Sequence, residues 1–118
     1  MNTVYTVAFS SGRFLMVYNP KRKGWEMPGG RIEENESVTD AAEREFMEES
    51  GYAVDIVSHK AADGCCVCAA VLGDRVKEGE FSSELFSELP NELAFERSEY
   101  EGVIEWAQNT VGTCDREN

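Results

Sequence analysis

The sequence predicts an α/β fold with a mixed β-sheet held between helices. Two observations carry this. Apolar–polar alternation marks strands on both sides of one well-capped helix, and a second capped helical stretch follows the last strand signal. At 118 residues the chain can build one hydrophobic core and not two, so a single domain over residues 1–118 is expected.

Val4 to Phe9 and Phe14 to Tyr18 read as strands, with Ser10-Ser11-Gly12-Arg13 as their hairpin connection. Asn19-Pro20 opens a loop, Lys21-Arg22-Lys23-Gly24, which leads into Trp25-Glu26-Met27-Pro28-Gly29-Gly30. Pro28-Gly29-Gly30 lets the backbone turn tightly and come close to a ligand. A helix is expected from about Val38 to Ser50, with Ser37 as N-cap, Asp40 as a weak capping-box partner and Gly51 as the C-terminal stop. Ala53 to Lys60 alternates as a strand, Asp63-Gly64 makes a turn, and Cys65 to Val76 is a longer apolar strand interrupted at Gly73-Asp74. Lys77 to Glu92 is acidic and irregular, with Glu88-Leu89-Pro90 as its one firm landmark. Ser98-x-x-Glu101 is a capping box that begins the last helix. Its apolar stripe is Tyr100, Val103, Ile104 and Ala107, it ends near Gln108, and the polar tail from Asn109 reads as frayed.

With 11 basic and 23 acidic residues the formal charge is −12, which argues against broad binding to nucleic acid or anionic membranes. A polyphosphate ligand would then need a metal ion or a local positive site. Arg13, Lys21, Arg22, Lys23 and Arg31 put nearly half the basic residues into one early section. They read either as a solvated loop and hairpin or as groups, Arg13, Arg22, Lys23 and Arg31 among them, that meet substrate phosphates. Trp25 serves either the core or a stacked base, with core packing the favoured use. No apolar run is long enough to span a membrane and no charged-then-apolar leader precedes the strands, so a cytoplasmic protein is expected. Cys65, Cys66, Cys68 and Cys114 lack the paired spacing of a zinc site, and His59 is the sole histidine. They read as small apolar fillers in a reduced compartment.

The middle helix carries an anomaly. At about 100° per residue, Glu45, Glu48 and Glu49 fall on the same face as Val38, Ala41 and Ala42, with Phe46 at its edge, while Asp40, Glu43, Met47 and Ser50 lie opposite. Glutamates at this spacing repel one another, and turning them toward apolar groups adds desolvation. A solvated acidic face would have put the charge opposite the alanines. A bound divalent cation removes the conflict, because Mg²⁺ takes clustered carboxylate oxygens.

These residues also fill a known signature, G-x5-E-x7-R-E-U-x-E-E-x-G-U with U a bulky apolar residue. Gly30, Glu36, Arg44, Glu45, Phe46, Glu48, Glu49 and Gly51 match in register, and only Tyr52 departs from the usual aliphatic at the last position. The chain therefore resembles the Nudix hydrolases, of the MutT type, over nearly its whole length. The resemblance implies the Nudix α/β/α sandwich and Mg²⁺-dependent hydrolysis of a nucleoside diphosphate linked to another moiety, with Mn²⁺ as a substitute ion. It implies Glu45, Glu48, Glu49 and the carbonyl of Gly30 as metal ligands, and Glu45 or a later loop glutamate as the group that polarises water. Glu78 and Glu80 come first for that loop position and Glu84 third. Arg44 would orient the carboxylates, with Glu36 bracing the loop onto the helix. The expected partner is a small nucleotide, by default a nucleoside triphosphate, with homodimer formation left open. The rival is a Nudix-fold nucleotide-binding or regulatory module without hydrolysis, which the full set of box glutamates opposes.

Overall fold

The computed structural model describes residues 2–115, with side chains described through residue 112. The order of elements is β1 (Thr3–Ser10), β2 (Arg13–Asn19), β3 (Gly24–Glu26), β4 (Gly29–Arg31), α1 (Val38–Ser50), β5 (Tyr52–Ala62), β6 (Cys65–Arg75), β7 (Ser83–Phe86) and α2 (Ser98–Asp115). The strands form one seven-stranded sheet in which β3, β2, β1, β6 and β5 lie side by side, β4 joins β1 and β7 joins β2. Among the strand pairings of the described residues β1–β6 alone is parallel, so the sheet is mixed, as expected.

Strand alternation sorts the core into two layers. Val4 and Ala8 of β1 and Cys66, Cys68 and Ala70 of β6 pack toward Ala41, Ala42 and Phe46 of α1. Val7 and Phe9 of β1 and Val67 and Ala69 of β6 pack toward Tyr100, Ala107 and Val111 of α2. A sheet covered on both faces explains why β6 reads as an unbroken apolar run. Cys66 and Cys68 are buried free thiols, the Cys68 thiol being pushed up to about 11 by burial, and they act as small fillers. Cys65 is free and half-buried, and the side chain of Cys114 lies outside the described residues.

The segment 77–92, expected to be irregular, holds β7, and four further sequence expectations change. The run 73–74 does not interrupt β6. Gly73 remains in the strand because a Cβ there would lie 2.9 Å from the Ala53 carbonyl, so glycine is what lets β5 approach. The last helix does not end near Gln108 but continues to Asp115, because Val111 extends the apolar stripe one turn beyond Ala107 and is buried in the same core. Nor is Ser98 the cap of that helix. Its first turn is closed by bonds from Tyr100 N–H and Glu101 N–H to the Arg97 carbonyl, and the Glu99 carboxylate accepts from Glu96 N–H. Ser50, placed by periodicity on the outer face of α1, is buried, because it follows Phe46 by one turn and the 77–82 loop covers it. Among the described residues no helix is long and apolar enough to cross a membrane.

Candidate active site

The site begins where β1 and β2 part. They pair only beside their hairpin, at Phe9–Phe14 and Ser10–Arg13, and β4 fills the opening by pairing Gly30 with Val4 and Gly29 with Tyr5. Thr6 N–H donates to the Pro28 carbonyl at 3.0 Å and continues that edge. The two glycines are required by close approach. A Cβ on Gly29 would lie 2.3 Å from the Val4 carbonyl, and one on Gly30 would lie 2.1 Å from Oε2 of Glu45.

Helix α1 is set against this strand as its caps predict. Ser37 Oγ accepts from Asp40 N–H at 3.0 Å, and Gly51, at φ 83°, sends its N–H to the Met47 carbonyl at 2.8 Å. The helix thereby brings Glu45 to Gly30 and Glu49 to Gly29, whose N–H donates to Glu49 Oε1 at 3.0 Å. Glu48 sits at the rim with its side chain 50% exposed. Arg44 ties the cluster together. It grips Glu36 through Nε at 2.7 Å and Nη2 at 2.9 Å, donates to the Arg31 carbonyl at 3.0 Å, and reaches Glu48 at 3.3 Å and Glu45 at 3.4 Å. Glu36, expected to brace the loop onto the helix, is thus paired with Arg44.

The electrostatics separate these carboxylates. Hydrogen bonds from Arg44 hold Glu36 down to about 2, and the same pairing raises the Arg44 guanidinium far above its ordinary value. Burial pushes the Glu45 carboxyl up, with Arg44 opposing and Glu48 adding to the rise. Glu49 is raised to about 7, chiefly by burial. The Gly29 N–H offsets part of the shift, while Glu26, Glu45 and Glu80 add repulsion. Glu45 and Glu49 are thus desolvated carboxylates with too little positive charge beside them, facing a cradle that a single methyl group would fill. Among the described residues no three acidic, thiol or imidazole groups are drawn close enough to hold an ion unaided. A cation here would also call on the Gly30 carbonyl and on water, the donor set that suits a hard divalent ion.

The later loop is fastened to the end of α1. Glu80 N–H donates to the Glu48 carbonyl at 2.9 Å and Phe81 N–H to the Glu49 carbonyl at 3.0 Å. Gly79 permits this, since a Cβ there would lie 2.3 Å from the Glu49 carbonyl. Of the sequence candidates, Glu80 is the one whose charge bears on Glu49. Glu78 and Glu80 both line an open depression beside Arg75 and Tyr52. Glu84 lies opposite Met16, whose side chain belongs to the α2 side of the core, so strand alternation sends it to the face away from α1.

Beside Gly29 and Gly30 opens a cavity of about 310 Å³, with Tyr5, Met27, Phe95, Tyr100 and Val103 as apolar walls and Arg22, Glu26 and Glu99 as its charged groups. Burial pushes the Tyr5 phenol up to about 12. Of the basic residues marked in the sequence, Arg22 alone lines this cavity. Arg31 adjoins Gly30 but is exposed, and Lys21 and Lys23 are exposed on the β2–β3 turn. Arg13 pairs with Ser10, six residues along β1 from the partner of Gly30, which is about 20 Å of strand. It is not brought to the glutamates. Trp25 packs edge-on against Tyr18 and Phe86 in the core, the favoured of its two uses. Glu26 was missed. Its signal was a lone carboxylate between Trp25 and Met27, four residues before Gly30.

A family model of the NUDIX domain matches residues 2–108. The chain is 41% identical over 54 residues to a protein named putative 8-oxo-dGTP diphosphatase of Bacillus subtilis, covering 37% of this chain and 36% of that relative. It is similar in structure to a NUDIX hydrolase from Nitrosomonas europaea, with TM-score 0.71 and 24% identity over 90% of this chain and 69% of that one. A Bacillus subtilis pyrophosphohydrolase gives TM-score 0.69 and 22% identity over 96% and 82% of the two chains. At such identities the structural likeness speaks to the fold alone.

Proposed function

The chain belongs to the NUDIX domain family, and on that premise we propose that it hydrolyses a pyrophosphate bond in a nucleoside diphosphate joined to another moiety. A nucleoside triphosphate is the substrate we favour. One observation carries the reading: Glu45 and Glu49, both desolvated and raised, converge on Gly29 and Gly30 at the end of a cavity large enough for a nucleoside.

Glu45, Glu48, Glu49 and the Gly30 carbonyl would hold Mg²⁺, with Mn²⁺ as a substitute, and Glu80 is the loop glutamate best placed to join them. Bound there, the ion would neutralise charge developing on the phosphates as water attacks phosphorus. Glu45, which adjoins Gly30 and Arg44, is the residue we assign to accept the proton of the attacking water as general base. Arg44 keeps Glu45 and Glu48 apart at a fixed spacing while Glu36 fixes Arg44. Arg22 meets the substrate at the cavity wall. Action on small nucleotides in the cytoplasm is part of the same proposal, supported by the charge of −12 and the unpaired thiols.

The test is Mg²⁺-dependent release of phosphate or pyrophosphate across nucleoside triphosphates, an oxidised guanine triphosphate, nucleotide sugars and ADP-ribose. Turnover of a triphosphate that chelation abolishes is expected. If no compound in the panel is turned over with Mg²⁺ or Mn²⁺, the hydrolytic reading is wrong.

A further inference from the structure

The guanidinium of Arg22 is held from two sides. Its Nη1 donates to both oxygens of Glu26, at 2.9 and 3.1 Å, and its Cζ lies 5.1 Å from the centre of the Phe95 ring. Glu26 is only 7% exposed, and Asn19 Nδ2 donates to the same carboxylate at 3.4 Å. Burying a carboxylate is costly unless it is paired and hydrogen-bonded, and Arg22 and Asn19 supply those partners. Among the described residues Arg22 is also the one cationic side chain on the cavity wall.

An arginine offers five N–H donors in a planar fork. Glu26 occupies the Nη1 corner and Phe95 covers a face of the plane. What remains is the Nε–Nη2 edge, for which the structure shows no protein partner among the described residues. That edge carries two parallel donors at the spacing of two phosphate oxygens. An anion entering the cavity otherwise passes Glu26 and Glu99 and approaches Glu45 and Glu49, in a chain of net charge −12.

We propose that Arg22 binds a phosphate of the substrate through its Nε–Nη2 edge, and that Glu26, together with Phe95, is the positioning residue that presents this edge to the cavity. The inference rests on the hydrolytic reading for its substrate. Because Glu26 already balances the charge of Arg22, the phosphate meets an oriented pair of donors rather than a free positive charge. A lysine would keep the charge, yet it cannot pair with Glu26, lie flat on Phe95 and offer two parallel donors at once. Selectivity for phosphate is therefore geometric.

The experiment combines steady-state kinetics on the best nucleotide with calorimetry of inorganic tripolyphosphate binding to the metal-free protein. Arg22→Lys is expected to raise KM about tenfold or more, the loss of one charge-assisted hydrogen bond, with kcat within about threefold, as lost uniform binding gives. Tripolyphosphate affinity should fall with it. Glu26→Gln should move KM the same way by less, and should add nothing in an Arg22→Ala background, because a residue that acts only through another is silent once that one is gone. Should Glu26→Gln fail to fold, Phe95→Leu removes the other support and should raise KM likewise. Parent-like KM and tripolyphosphate binding in Arg22→Lys would overturn the proposal, as would additive effects of the Arg22 and Glu26 changes. If nucleotides are hydrolysed and these variants match the parent, this inference falls alone. If tripolyphosphate binds through Arg22 but no nucleotide is turned over, the hydrolytic reading falls and the phosphate site stands.

Discussion

Replacing Glu45 by glutamine keeps the shape of the side chain and removes its charge and its capacity to take a proton. The parent side chain is 16% exposed, stands 3.4 Å from Arg44, and would collide with any Cβ at Gly30. Its rise in proton affinity means that burial and Glu48 outweigh the attraction of Arg44 in the metal-free protein. Deleting the charge removes repulsion at i,i+3 and i,i+4, each worth about 0.2–0.5 kcal/mol, and forfeits a part-exposed ion pair of about the same size. The net gain is about 0.5 kcal/mol or less, so Tm in chelator should rise by about 3 °C at most. Saturating Mg²⁺ should reverse the order. An ion at 100 times its dissociation constant adds about 2.7 kcal/mol to the parent, and less to a variant short of one carboxylate. Loss of a general base costs about 10²–10⁴ in rate, so kcat should fall by at least about 10²-fold. Thermal melts with chelator and with Mg²⁺, beside phosphate release at saturating substrate and metal, read all three effects. A variant within tenfold of parent kcat, or with an unchanged Mg²⁺-induced shift in Tm, would refute the assignment. Glu80 would then be the first residue to test as the base.

Gly30→Ala should remove most activity while the sheet still forms, because the new methyl displaces the Glu45 carboxylate rather than backbone; parent-like kcat would show that the cradle is not needed. The raised carboxyl of Glu49 gives a pH signature in chelator. Between its ordinary 4.5 and about 7 the folded protein retains a proton that the unfolded chain has lost, so stability from this group is greatest below about 4.5 and declines until about 7. Tm measured from pH 4 to 8 should show that decline in the parent and a shallower one in Glu49→Gln, where the raised Glu45 still contributes; identical pH slopes would contradict it. Val111→Ala should cost roughly 2 kcal/mol by denaturant unfolding, since it opens a gap in the packed core; a cost near zero would mean that the last turns of α2 are not part of the fold.

Much of the site was legible because its signals are local. Ser37, Gly51 and the glutamate spacing are read within one helix, and β6 announces its burial by composition. The strands β3, β4 and β7 were missed because three or four residues are too few for alternation to show. The polar tail hid Val111, since one apolar residue per turn among Asn109, Thr110 and Gly112 looks like no stripe at all. Long-range placement was beyond reach. Arg13 and Arg22 look alike in the sequence, and only the parting of β1 and β2 sends one of them far from Gly30 and the other to the cavity wall. Glu26 and the segment holding Phe95 and Glu99 are far apart in the chain and meet only when it folds.

The insertion of β4 into the gap beside β1 has a consequence for how the molecule can change. Gly29 and Gly30 are rungs of a ladder whose neighbour strand is buried on both faces, so the reacting end can open only when the centre of the sheet opens. Part of the cavity wall, Arg22 on the β2–β3 turn with Phe95 and Glu99, is exposed and joined to the frame by few bonds. On the proposed reading the glutamates sit against the packed centre of the sheet, and Arg22, Phe95 and Glu99 sit on a more exposed part. Substitutions that retune the ligand can accumulate on the second part while the glutamate helix and its strand are left undisturbed.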